Sequence, residues 1–110
     1  MPGLATRSVL IVEDEWLVRM ELAAAFEDEG CLVSESASAE DAITRLGAGA
    51  TFDLLVTDIR LSGALTGWDL AAEARNLDPA VAVIYVSANP PAPGRDVGGS
   101  IFIDKPALIA

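Results

Sequence analysis

Hydrophobic and polar positions come in blocks along this chain, and the period changes from block to block. Residues 8–12 are a short β-branched run, Ser-Val-Leu-Ile-Val, that ends on Glu13-Asp14-Glu15. Such a run predicts a strand. From about 15 to 29 the period lengthens to that of a helix, with Val18, Leu22, Ala25 and Phe26 on one face and Glu21, Asp28 and Glu29 on the other. Gly30 is placed to stop it as a C′ residue. Residues 32–36 are half polar and predict a strand near a sheet edge. Ser38 then caps a second helix, with Asp41 at its third position. Ala42, Ile43 and Leu46 give that helix an apolar face, and Gly47 and Gly49 end it.

The run Leu54-Leu55-Val56-Thr57 reads as a strand buried on both faces, and it stops abruptly at Asp58. A loop over 61–67 follows. Thr66 caps a third helix over about 67–76, whose inward positions are Leu70, Ala71 and Ala74. Asp78-Pro79 is a turn. Residues 81–86 repeat the two-face-buried pattern and end on Ser87. There the alternation breaks, because Pro90, Pro91, Pro93, Gly94, Gly98 and Gly99 cannot sustain a helix. Residues 101–104, Ile-Phe-Ile-Asp, predict a last strand before Lys105-Pro106.

Strands that alternate with helices imply an α/β domain with a parallel sheet, right-handed crossovers and helices on both faces. With 110 residues, 52% of them hydrophobic, residues 1–110 are expected to form one domain with its own core. The 17 acidic against 7 basic residues give a net charge of −10, which argues against a basic nucleic-acid-binding face. The lone Cys31 excludes an internal disulfide. With no histidine, Ser-His-Asp and Cys-His catalysis and most zinc sites are excluded. No secretory signal core or membrane-length apolar run is present, so a cytoplasmic protein without membrane contact is expected. No Gly-rich loop follows the first strand, which excludes a dinucleotide fingerprint or a P-loop.

In a parallel sheet all C-terminal strand ends share one edge. That edge would carry Glu13, Asp14, Asp58, Ser87 and Lys105. Clustered carboxylates repel unless a cation binds. A hard divalent ion with oxygen ligands is the natural relief, and Mg²⁺ takes few protein ligands. Lys105 offers a point charge, and Ser87 a hydrogen bond, to a phosphoryl oxygen. The set suits phosphoryl transfer, with a carboxylate as nucleophile.

From Val9 to Pro106 these residues resemble the receiver domains of two-component response regulators. The markers are Glu13-Asp14, the strand-ending Asp58, Ser87 followed by the small Ala88, and Lys105-Pro106. The resemblance implies a flavodoxin-like five-stranded doubly wound sheet of order 2-1-3-4-5. It implies that Asp58 is the phospho-acceptor, that Asp14 and Asp58 ligate Mg²⁺ directly and Glu13 through water, and that the Arg60 backbone carbonyl completes the protein ligands. Lys105 and Ser87 would hold the phosphoryl oxygens. Ser87 would also act in switching, together with Phe102 on the last strand, although Phe102 reads equally as a plain core residue. A histidine kinase or histidine phosphotransfer protein would be the partner. Trp16, at the start of the first helix, reads either as a partly buried surface aromatic or as a contact for that partner.

Two departures from the family pattern stand out. The Pro/Gly tract reads as a degenerate fourth helix, and a fifth helix is expected to be missing or truncated. Apolar sheet surface left uncovered by these departures is expected to pair with a second copy or a partner. Three functions compete. The first is a phosphorylatable receiver, with no chemistry beyond accepting and losing a phosphoryl group. The second is an interaction-only receiver that docks without phosphorylation. The third is a Mg²⁺-dependent phosphohydrolase using Asp58, which usually wants a general acid two residues on. Position 60 is Arg, which cannot serve as one at neutral pH.

Overall fold

The computed structural model describes residues 6–88 and 94–105. Eight elements follow one another: β1 (Ser8–Val12), α1 (Trp16–Asp28), β2 (Leu32–Ser36), α2 (Ala39–Gly47), β3 (Leu54–Thr57), α3 (Gly67–Leu77), β4 (Ala82–Ser87) and β5 (Ile101–Asp104). The five strands form one sheet of order β2-β1-β3-β4-β5, and every pairing is parallel. The half-polar β2 lies at an edge, as its composition predicts.

The two-residue period of the strands sorts the core into two layers. Leu10, Val12, Leu55, Val83 and Tyr85 face one side and pack with Ala39, Ala42, Leu70, Ala71 and Ala74 of α2 and α3. Val9, Ile11, Val56 and Val86 face the other side and pack with Leu22 and Ala23 of α1. Leu70, Ala71 and Ala74 are buried, as the helical pattern requires. In α1 the buried face includes Ala23, while Ala25 is exposed. The face is centred between Leu22 and Ala23, so position 25 turns outward and the expected inward place for Ala25 is corrected.

The caps are those that the side chains predict. Gly30 adopts φ +89° directly after the α1 cap residue Glu29. Ser38 Oγ accepts from the Asp41 N–H at 3.1 Å. Thr66 and Asp69 form a full capping box at the start of α3. Residues 94–100 contain turns and no helix. Pro90, Pro91 and Pro93 of the interrupted tract, Pro106, and the place of a fifth helix after Lys105 lie outside the described residues. No described helix is long and apolar enough to cross a membrane.

Candidate functional site

Parallel pairing brings the C-terminal ends of β1, β3, β4 and β5 to one edge, and the polar residues that end those strands meet there. Asp14, Glu15, Asp58, Arg60, Ser87, Ala88 and Lys105 line a cleft of about 240 Å³. A second cavity, of about 160 Å³, lies at the opposite end of the sheet among Leu46, Phe52, Leu77 and Val81. Its apolar lining offers little for chemistry, so the strand-end cleft is the candidate site.

Lys105 organises the cleft. Its Nζ donates to Asp58 Oδ2 at 2.7 Å and pairs with Glu13 Oε1 at 3.0 Å. Glu15 is farther, at 4.0 Å. Burial alone would lower the Lys105 pKa, but hydrogen bonds to Asp58 and Glu13 outweigh it, and the net shift is upward. Glu13 is fully buried, and its Oε2 accepts from the Glu15 N–H at 3.1 Å. Burial pushes its carboxyl up to about 7; the bonds from Lys105 and Glu15 oppose that shift, and the Asp58 charge adds to it. Arg19 Nη1 donates to the Glu13 carbonyl at 2.7 Å while its Nε pairs with Glu35 at 3.2 Å. That fork ties the end of β1 to α1 and β2.

Asp58 is nearly buried. Its Oδ1 accepts from the Ile59 N–H at 2.7 Å and the Arg60 N–H at 3.3 Å. These bonds fix the carboxylate and leave Oδ2 directed at Lys105. Asp14 is exposed at the cleft, with Oδ2 accepting from the Ser62 N–H at 3.2 Å. Oxygen atoms of Glu13, Asp14 and Asp58 all lie within 4.8 Å of one another. Lys105 brings one positive charge to this group of three carboxyl groups. An all-oxygen donor set with surplus negative charge fits a hard divalent cation, the class that includes Mg²⁺.

Ser87 ends β4, is buried beside the cleft, and lies opposite Asp104 in the strand register. Phe102 sits one strand over from Tyr85 and directly opposite it in the register. Its ring lies 5.1 Å from Tyr85 and 5.6 Å from Trp68, and the Trp68 and Tyr85 rings are 4.8 Å apart. Phe102 is therefore part of an aromatic core cluster. Trp16 is 62% exposed beside the acidic loop, farther out than a partly buried surface aromatic. Sequence reasoning missed Tyr85, whose hydroxyl accepts from the Val97 N–H at 3.2 Å and so pins the β4–β5 connection. The available signal was a lone tyrosine in an otherwise aliphatic strand. It also missed Arg19 and Glu40.

The response regulator receiver domain family matches residues 9–107. Among solved structures, a response regulator receiver protein from Sinorhizobium medicae WSM419 is similar at 32% identity, with 94% of this chain and 86% of that one covered and a TM-score of 0.84. The receiver domain of the hybrid histidine kinase CckA is 31% identical over 90% of this chain and 85% of its own, with a TM-score of 0.77. At 22% identity, the response regulator TrrA from Thermotoga maritima, solved in complex with Mg(2+)-BeF, shares the fold over 90% of this chain and 86% of its own at a TM-score of 0.81. The family match spans the strand ends from Glu13 to Lys105, and on that extent the chain belongs to the response regulator receiver domains of two-component signalling.

Proposed function

We propose that this chain is a phosphorylatable receiver. Asp58 accepts a phosphoryl group from a histidine kinase or histidine phosphotransfer protein, and the modified domain changes which proteins it binds. The observation that carries this reading is the 2.7 Å contact of Lys105 with Asp58 Oδ2, in a cleft shared with Asp14 and Ser87. Asp58 Oδ1 is engaged by two backbone N–H groups, which supports Oδ2 as the attacking atom. An O–P bond forms to Oδ2 as the N–P bond of the donor phosphohistidine breaks, and the imidazole leaves with the electron pair. Lys105 and Ser87 take the phosphoryl oxygens, so Lys105 exchanges carboxylate partners for the new group. That exchange is the differential interaction that shifts the population of states.

Asp14 and Asp58 would hold Mg²⁺ directly, Glu13 through water, and the Arg60 carbonyl would complete the protein ligands. When bound, the ion neutralises charge on the transferring group. The Mg(2+)-BeF complex of the Thermotoga relative is in keeping with this reading. Residues 1–110 would act as one receiver unit.

Intact-mass spectrometry after incubation with acetyl phosphate and Mg²⁺ tests the reading. One phosphoryl group is expected on the wild type and none on Asp58→Asn. An unmodified wild type that also fails to respond to beryllofluoride would favour docking without phosphorylation. That second reading draws on residues 94–100, which have no helix to repack. Trp16 is the proposed partner contact. Trp16→Ala should slow transfer from the cognate kinase and leave labelling by acetyl phosphate unchanged; equal kinase rates would remove Trp16 from the interface.

A further inference from the structure

The loop between β3 and α3 carries Arg60 into the cleft and returns to the chain at Gly67. It is tied to the site at both ends. Ile59 and Arg60 donate to Asp58, and Ser62 donates to Asp14 Oδ2 at 3.2 Å. At the far end the Gly67 N–H donates to the Ile59 carbonyl at 2.8 Å. The middle of the loop is held from a different element. Glu40, at the second position of α2, accepts from the N–H groups of Ala64 at 3.0 Å and Leu65 at 3.1 Å, both on Oε2. Gly63 lies between these contacts and the Ser62 bond, with φ +102°, and a Cβ there would come within 2.8 Å of Glu40 Oε1.

These contacts point to one role that nothing in the strand-end constellation supplies. We infer that Glu40 is a positioning residue for the cation site: its carboxylate clamps residues 64–65 and so fixes the loop whose backbone meets Asp14 and Asp58. The inference rests on the receiver reading above and adds a residue on α2 that touches neither the phosphoryl group nor the ion. An acidic side chain suits the post. It lies in the first turn of α2, where the helix dipole favours negative charge. Its own N–H, together with those of Ala64 and Leu65, holds its carboxyl below the usual value against the opposing effect of burial. Gly63 suits its post because any side chain would both strain a positive φ and push the carboxylate off its donors.

Both loop N–H groups meet a single oxygen, so a carboxamide can keep them. Glu40→Gln should therefore keep most of the loop protection and Mg²⁺ affinity that Glu40→Ala loses. The experiment is Mg²⁺ titration by calorimetry, paired with hydrogen exchange at residues 62–65, on the full chain. Glu40→Ala is expected to speed exchange at Ala64 and Leu65 and to weaken Mg²⁺ on the order of tenfold, the usual effect of losing an outer contact that orients a ligand. Gly63→Ala should do the same, and it reads the same quantity if Glu40→Ala does not fold. Faster exchange with Mg²⁺ affinity within about twofold of wild type would overturn the positioning role and leave the receiver reading intact. Unchanged exchange would overturn the clamp itself. A wild type that fails to bind Mg²⁺ would overturn the phosphorylatable-receiver reading and the positioning role with it, while exchange at Ala64 and Leu65 would still report the clamp.

Discussion

Gly67 shows how tightly one residue sets the site. A Cβ at this position would overlap the carbonyl oxygen of Asp58 and lie 2.9 Å from the Ile59 Cα, and both obstacles are backbone. No side-chain rotation relieves that contact, so α3 must shift away from the end of β3. Gly67→Ala is expected to destabilise the fold by roughly 1–3 kcal/mol, as overpacking in a tight interior does. Gly47, at the end of α2, has nothing within 4 Å of its would-be Cβ. Gly47→Ala should be neutral or stabilise by about 0.5–1 kcal/mol. Urea midpoints for the two variants check the contrast, and equal midpoints would refute it. In the sequence both glycines look like punctuation. Asp58 and Lys105 were legible because each ends a short apolar run, whereas Gly67 and Glu40 act on backbone far along the chain, and no local pattern reports that.

Whole elements were easier to read than their ends or faces. Among the described residues, the alternation of periods located each strand and helix from β1 to β5, and Thr66 was readable as a cap. The reciprocal bond was not: Asp69 Oδ2 accepts from the Thr66 N–H at 2.9 Å and its Oγ1 at 3.0 Å. An Asp three residues after a Thr is common enough to pass unmarked. These bonds hold the Asp69 carboxyl below its ordinary value of 3.8. A carboxylate with a depressed folded value adds stability that is present above the unfolded value and is lost as pH falls through the folded one. The melting-temperature gap between wild type and Asp69→Asn should therefore be constant above about pH 5 and close progressively below pH 4, near the unfolded aspartate value. A gap that persists at pH 2 would mean that Asp69 acts through shape alone. The places of Phe102 and Tyr85 depended on strand register, because the pair forms only when β5 lies beside β4 with position 102 opposite 85.

At the scale of the molecule, charge is distributed unevenly in its consequences. Most of the side chains behind the net charge of −10 are exposed, and ordinary salt screens them, since the Debye length is only about 10 Å at 0.1 M. The Glu13, Asp14 and Asp58 group is different: its oxygens lie within 4.8 Å of one another, and its repulsion is met locally by Lys105. Sodium at matched ionic strength should therefore stabilise the fold weakly. A divalent ion that binds the folded cluster and not the unfolded chain stabilises by mass action, about 2.7 kcal/mol at a hundredfold excess over its Kd. For a domain of this size each kcal/mol moves Tm by roughly 4–8 °C, so Mg²⁺ should raise Tm by on the order of 10 °C above the sodium control. Asp14→Asn should abolish that difference while keeping most of the sodium response, because it removes the exposed carboxylate proposed as a ligand and little of the global charge. Differential scanning fluorimetry in EDTA, sodium and Mg²⁺ separates the two effects. An equal rise in sodium and Mg²⁺, or a Mg²⁺ rise that survives Asp14→Asn, would show that the strand-end carboxylates act only as part of the general acidic surface.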